Sequence, residues 1–398
     1  MTDAILDTHP GIQVFPDRWS VGTWASIVSM SAATFALVSA EFLPAGLLTP
    51  MAADLGISEG TAGQVVTATA AVGAVAALFA NVVIGRLNRK LVLVGLSALA
   101  VISNLLAAFA TEFWVLLLGR AGLGIALSGF WSLSAAVVAR LVGVQALGRG
   151  MAIIFVGVSL ATIAAPALGA LISDWIGWRA AMAATAAAAA LALLLQLISL
   201  PSLPAEKGNS LVELFRLTGR RGVQLGMLAI LLLITGHMAA FVYVRPFLEQ
   251  VTVMSTSSVA LALLTFGLAS VLGNIAGGKM ADANVRAALI SVGLVLGGAI
   301  LALTFWGGAT VPALCLVGAW GFAFGATPIV LQTNASRAAL DALEACGSLI
   351  VVCFQLAIGL GAAIGGQIVD VSGVSYSLTF GAVLAFLAAG VGLVSRRR

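Results

Sequence analysis

Glu41 stands in a segment that carries no other charge. From Gly22 to Leu48 the chain reads GTWASIVSMSAATFALVSAEFLPAGLL, and about 20 apolar residues suffice to cross the hydrocarbon core of a bilayer. Ionisable residues inside such spans are costly and mark ion or proton pathways. Arg120, in LLGRAGLG, is the one other charge at comparable depth. The chemistry open to this pair is reversible proton binding. A buried carboxylate's proton affinity responds to its hydration and to a nearby arginine, so motion that alters either one switches it. Each residue has a structural alternative. Glu41 can cap backbone freed by Pro44, and Arg120, which keeps its charge, can tie helices together through carbonyl oxygens. It can also tune Glu41 or bind an electron-rich group of a solute.

A second set of side chains suits a flat, neutral, hydrogen-bonding ligand. Phe130, Trp131, Phe241, Tyr243, Trp320, Phe322 and Phe324 offer stacking faces, and Gln64, Ser132, Asn274 and Gln355 offer donors and acceptors. Trp131 and Gln355 lead this set because both are far from their span ends. The alternative for every aromatic is packing between helices or anchoring at the membrane interface. His237, mid-span in LLLITGHMAAFVY, can relay protons or sit neutral, bonded across helices. Gly119-Arg120-Ala121-Gly122 lacks the lysine-serine pair of a phosphate loop. No Walker motif and no Ser-His-Asp set is identifiable, so neither ATP-driven transport nor an enzyme is expected. Cys315, Cys346 and Cys353 fit no metal-ligand spacing and are expected to be buried packing residues. No metal or cofactor is expected.

The elements that position these residues follow from composition. Of 398 residues, 61% are hydrophobic and 9% charged, with mean hydropathy +1.13; soluble domains carry about 25% charged residues. This predicts an all-α polytopic membrane protein. Apolar runs fall at 22–48, 60–84, 91–110, 113–139, 150–173, 178–200, 223–247, 257–281, 287–306, 310–334, 344–369 and 374–395, predicting twelve spans. They are too long for barrel strands and lack their alternation. Glu41 and Arg120 each lie about seven residues from the outer ends of their spans, which sets both roughly 10 Å deep.

An even number of spans puts both termini on one side. That side collects Arg18, Arg86, Arg89, Lys90, Arg140, Arg149, Lys207, Arg216, Arg220, Arg221, Lys279, Arg286, Arg337 and Arg396 to Arg398, against Arg179 and Arg245 on the other. The positive-inside rule makes it cytoplasmic. The net charge of +4 therefore reflects topology and predicts no nucleic-acid partner. Residues 1–21 are expected as a cytoplasmic tail with no signal peptide, 22–200 and 222–398 as two six-helix bundles, and 201–221 as a cytoplasmic linker. Leu211 to Leu217 reads as an ordinary linker or as a short amphipathic helix on the membrane surface.

The halves repeat. APALGALISDWIG (Ala165 to Gly177) matches GAAIGGQIVDVSG (Gly361 to Gly373), pairing Gly169 with Gly365, Ile172 with Ile368, Asp174 with Asp370 and Gly177 with Gly373. The loop Gly85-Arg86-Leu87-Asn88-Arg89-Lys90 has a counterpart in Gly278-Lys279-Met280-Ala281-Asp282, followed by Arg286. Parallel six-span repeats are a transporter arrangement, with a site near the midplane between the halves.

Across essentially its whole length the sequence resembles the major facilitator superfamily, in its twelve-span drug:proton antiporter branch. LLGRAGLG looks like the fourth-span motif with a buried arginine. Gly157, Ala165-Pro166 and Gly169 look like the fifth-span antiporter motif, with Ala165 where glycine is usual. Asn88 stands where the second-to-third loop commonly has aspartate. The segments Glu41 to Gln64, Gly119 to Ala135, LPSLP, VRPF and GAAIGGQIVD look like those of bacterial purine ribonucleoside efflux pumps. The first-span pattern is shared with sugar and arabinose exporters. The resemblance implies a monomeric inner-membrane antiporter that exports purine ribonucleosides (inosine, adenosine, guanosine) and purine base analogues in exchange for protons. Pro44, Gly85, Arg89, Lys90, Pro166 and Gly169 fall at its conformational motifs. A sugar or multidrug exporter is the alternative within the class; a membrane-embedded enzyme or a sensor is the alternative outside it.

Overall fold

The computed structural model describes residues 19–84, 87–204 and 216–394. Among these residues helix is the only extended regular structure, as hydrocarbon demands when backbone groups must be satisfied within a segment. The first half comprises α1 (Val21–Phe42), α2 (Pro44–Leu55), α3 (Glu59–Ile84), α4 (Arg89–Ala108), α5 (Phe113–Val142), α6 (Leu147–Ile176) and α7 (Trp178–Ser199). The second comprises α8 (Arg221–Phe241), α9 (Val244–Gln250), α10 (Thr256–Trp306), α11 (Thr310–Ser336), α12 (Leu343–Ser372) and α13 (Val374–Val394).

Among the described residues, eleven helical stretches are apolar and long enough to cross a membrane. One of them, α10, has 51 residues, roughly 75 Å of helix against a core of about 30 Å. Its backbone leaves the helical region at Asn284 (φ −161°, ψ 95°), whose Oδ1 accepts the Ala287 N–H as a cap for the next stretch. The chain therefore crosses twelve times and its described ends share one face, here the proximal face; the opposite face is distal.

The two six-span bundles are pseudo-symmetric. In each, the first span breaks near its distal end, at Leu43-Pro44 in one and between Phe241 and Val244 in the other. The expected single run 22–48 is thus two helices, the second continuing to Leu55. A 3-10 turn (Val144–Ala146, Leu340–Ala342) precedes each fifth span. A glycine of positive φ ends it, Gly177 at 93° and Gly373 at 101°, a conformation that a Cβ disfavours.

The bundles meet where α3 runs along α12, α6 along α10, and α2 against α9. Polar contacts seal the distal end. Asp370 accepts from Ser58 Oγ (2.8 Å) and the Gly60 N–H (3.0 Å), capping the start of α3. Its repeat partner Asp174 accepts from Thr256 Oγ1 (3.3 Å) at the start of α10. Gln250 donates to Glu59 (2.9 Å) and Arg245 to the Gly46 carbonyl. Deeper, Thr67 reaches the Gly359 carbonyl (3.5 Å) and Gln355 reaches Ser128 (3.1 Å). Proximal to Ser128 and Gln355, no hydrogen bond joins the halves among the described residues.

Two expectations are corrected. Cys315 is exposed on the outer surface of its helix, unlike buried Cys346 and Cys353, because α11 turns that side away from the bundle. Phe322 is likewise exposed, unlike Phe241, Trp320 and Phe324, which are buried. The tail to residue 18 and most of Leu211 to Leu217 lie outside the described residues.

Candidate functional site

The break between α1 and α2 organises the site. Pro44 has no N–H to give the carbonyl of Ala40 four residues back. Arg120 supplies the missing donor: its Nη1 reaches that oxygen at 2.7 Å, while its Nε donates to the Val65 carbonyl on α3 at 3.3 Å. One guanidinium thus ties α1, α3 and α5 together, and it is only 1% exposed. Pro50, inside α2, frees the Gly46 carbonyl in the same way, and Arg245 of α9 donates to that oxygen from across the interface. Arg245 also holds Glu249 at 2.7 Å.

Glu41 follows directly after the carbonyl that Arg120 binds. The two side chains are within electrostatic reach, but no ion pair joins them among the described residues. The Glu41 side chain lines a cavity between the bundles. Phe42, Ala45 and Val66 complete its wall from the first half, and Met238, Phe241, Val242 and Ile358 from the second. A carboxylate with otherwise apolar neighbours on both halves can gain or lose a proton and so change how those halves fit together.

Beside this cavity stands a group of rings. His237 stacks on Phe324 with ring centres 3.8 Å apart and planes 13° apart, and lies nearly parallel to Phe241 and Phe266. Trp320 stands edge-on and donates its Nε1–H to His237 Nδ1 at 3.1 Å. Phe42 of the first half approaches Phe241 and Phe324 at 5.8 and 6.2 Å. Through Phe241 and Phe42 the group shares its wall with the Glu41 cavity.

The family model of the Major Facilitator Superfamily matches residues 30–350. The chain belongs to this superfamily. It is 39% identical over 366 residues to the purine ribonucleoside efflux pump NepI of Shigella sonnei (strain Ss046), and 38% identical to that of Escherichia coli (strain K12), with 92% of each chain covered in both cases. Among solved structures it resembles a bacterial homologue of the human lysosomal transporter Spinster in an inward-facing and occupied conformation (TM-score 0.75, 14% identity, 92% of this chain and 95% of that one). It also resembles the human organic anion transporter MFSD10 (TETRAN) (TM-score 0.67, 19% identity, 93% and 99% covered).

The remaining sequence-predicted residues of this superfamily member fall in separate places. Trp131 is half-buried, 5.7 Å from Phe155 and 6.1 Å from Phe130 between ring centres, and Phe130 lies in the core of the first bundle. Gln355 bridges the halves through Ser128. Tyr243 is fully buried, its hydroxyl donating to the Ala362 carbonyl at 2.7 Å, and Gln64 donates to the Gly60 carbonyl at 3.4 Å; both belong to the distal seam. Pro166 lies against Gly46, and Gly169 against Leu43, so both support the α1–α2 break. Arg89 N–H donates to the Leu203 carbonyl (2.8 Å), Lys90 Nζ to the Leu197 carbonyl (3.0 Å), and Asn88 caps α4. That loop is therefore docked on the segment after α7; Gly85 lies outside the described residues. Phe42, Met238, Phe266 and Ile358 were not singled out in sequence, where nothing separates them from other apolar span residues.

Proposed function

We propose that this chain is a proton-coupled antiporter of the bacterial inner membrane that exports purine ribonucleosides and related base analogues by alternating access. The observation that carries the substrate class is the 38–39% identity, over 92% of both chains, to pumps named for purine ribonucleosides. The support for coupling is the position of Glu41, a span carboxylate on a cavity whose wall comes from both bundles. The halves 22–200 and 222–398 are the two moving units, and the chain works as a monomer. The proximal face is cytoplasmic, since it gathers nearly all the lysine and arginine. With its polar seam at the distal end, the present arrangement is inward-facing. Solute loads from the proximal side and protons load after the seam parts, with Glu41 exchanging the proton and Arg120 holding the α1–α2 break.

The test is flux in proteoliposomes with an imposed pH gradient. Inosine, adenosine or guanosine should move uphill against it, and arabinose or a cationic drug should not. Strong gradient-driven flux of sugar or cation with none of nucleoside would overturn the purine assignment; no gradient-dependent flux of any solute would overturn the antiporter.

A further inference from the structure

His237 has one nitrogen too few in use. Trp320 donates to Nδ1, so Nδ1 carries a lone pair and the ring proton of the neutral imidazole sits on Nε2. That Nε2 is buried and has no partner among the described residues, and the residue is 0% exposed. Buried donors are ordinarily satisfied, and an exception asks for an explanation. Parallel rings of Phe324, Phe241 and Phe266 fix the plane of the imidazole, and the Trp320 bond fixes its rotation. A donor held this firmly, without a partner, among stacking faces is a recognition element waiting for an acceptor.

We infer that the His237 Nε2–H donates to an in-plane ring acceptor of a flat heteroaromatic base, which the surrounding Phe241, Phe266, Phe324 and Trp320 recognise by their faces. The Glu41 cavity, whose wall includes Phe241 and Met238, holds about 10 Å³ and His237 does not line it. The base therefore reaches His237 only once the bundles part and Phe42 of the first half leaves Phe241 and Phe324. The chemistry is selective. A cation meets the positive end of an N–H. A sugar has acceptors but no aromatic face. A purine has both, with unsubstituted ring nitrogens in the plane of its π system. This inference rests on the purine reading above and adds to it the residue that reads the base.

The experiment measures inosine binding to the purified full chain in detergent, in the parent and two variants. His237→Asn places an amide oxygen near the Nδ1 position, keeping an acceptor for Trp320, but has no donor near Nε2. His237→Gln places an amide near Nε2. Asn should weaken inosine roughly 10-fold and Gln should restore most of that. Among the 3-deaza and 7-deaza analogues, which each remove one ring acceptor, one should bind the parent roughly 10-fold more weakly than inosine and lose nothing further in His237→Asn. The sequence holds only two histidines, His9 and His237, so histidine-labelled parent protein gives a readout that needs no variant. Its Nε2–H resonance should shift with inosine and not with arabinose. Parental affinity in His237→Asn, a full penalty for every deaza analogue in that variant, or an unmoved resonance would each overturn the inference alone. A parent that does not bind inosine would remove the purine reading and this inference together.

Discussion

Glu41 and Arg120 are neighbours with different work. Glu41→Gln fixes the neutral form of the carboxyl, so it should abolish uphill export driven by a pH gradient while solute binding survives. Reconstituted flux with and without the gradient reads this out, and pumping at the parental rate would place the proton carrier elsewhere. Arg120 stands in for the amide hydrogen that Pro44 lacks. Arg120→Ala should therefore destabilise the protein by about 2 kcal/mol, the cost of a buried carbonyl left without a donor. Adding Pro44→Ala returns a donor to Ala40 and should recover about 1 kcal/mol of it. Thermal unfolding in detergent checks this; no recovery in the double variant would separate Arg120 from the proline break. The sequence set both charges at one depth but left their partners open, because depth along a helix says nothing of rotation about its axis. The same gap let Cys315 and Phe322 pass as interior residues.

At the scale of elements, two glycines make a controlled comparison. A Cβ on Gly46 would lie 2.2 Å from the Pro166 carbonyl within the first bundle, and one on Gly60 would lie 2.2 Å from the Gly366 carbonyl and 2.5 Å from the Asp370 carboxyl, across the seam. Gly46→Ala should lower stability by about 1–3 kcal/mol through overpacking. Gly60→Ala should leave the bundles intact and hold the distal ends apart. Spin labels at exposed Glu112 and Val253 should report longer distances in the second variant and parental ones in the first; the reverse result would contradict the seam. Long apolar runs made the twelve spans legible in advance, and the Asp174–Asp370 repeat was legible as well. Its purpose was not, since each carboxylate serves the start of a helix in the opposite half, a pairing that exists only after both bundles have docked.

For the whole molecule, acid stability depends on where the surface carboxylates bond. On the distal face Asp54 joins α2 to the start of α7 through Arg179 at 2.5 Å and Trp178 at 3.2 Å, and the Arg179 bond above all holds its carboxyl below the ordinary 3.8. A carboxyl lowered on folding stabilises the fold above its ordinary value and loses that contribution as pH falls through its folded one. Parent and Asp54→Asn should thus differ in thermal midpoint at neutral pH by an amount that stays level to about pH 4 and closes below it. A difference that persists in stronger acid would show that the side chain acts by packing alone. The same face carries the hydrogen bonds of the seam, carboxylates on N–H and hydroxyl groups and an arginine on a carbonyl, beside a buried apolar cluster in which Leu43, Leu47 and Leu48 of the first half join Val244, Phe247 and Leu248 of the second. When the halves separate, each of these charged groups trades a protein partner for water at a net cost of about 1.5–3 kcal/mol per bond. The apolar part becomes harder to part with every square ångström exposed. The hydrogen-bonded part behaves as a reversible catch, because water offers each of its groups a replacement partner once the halves separate.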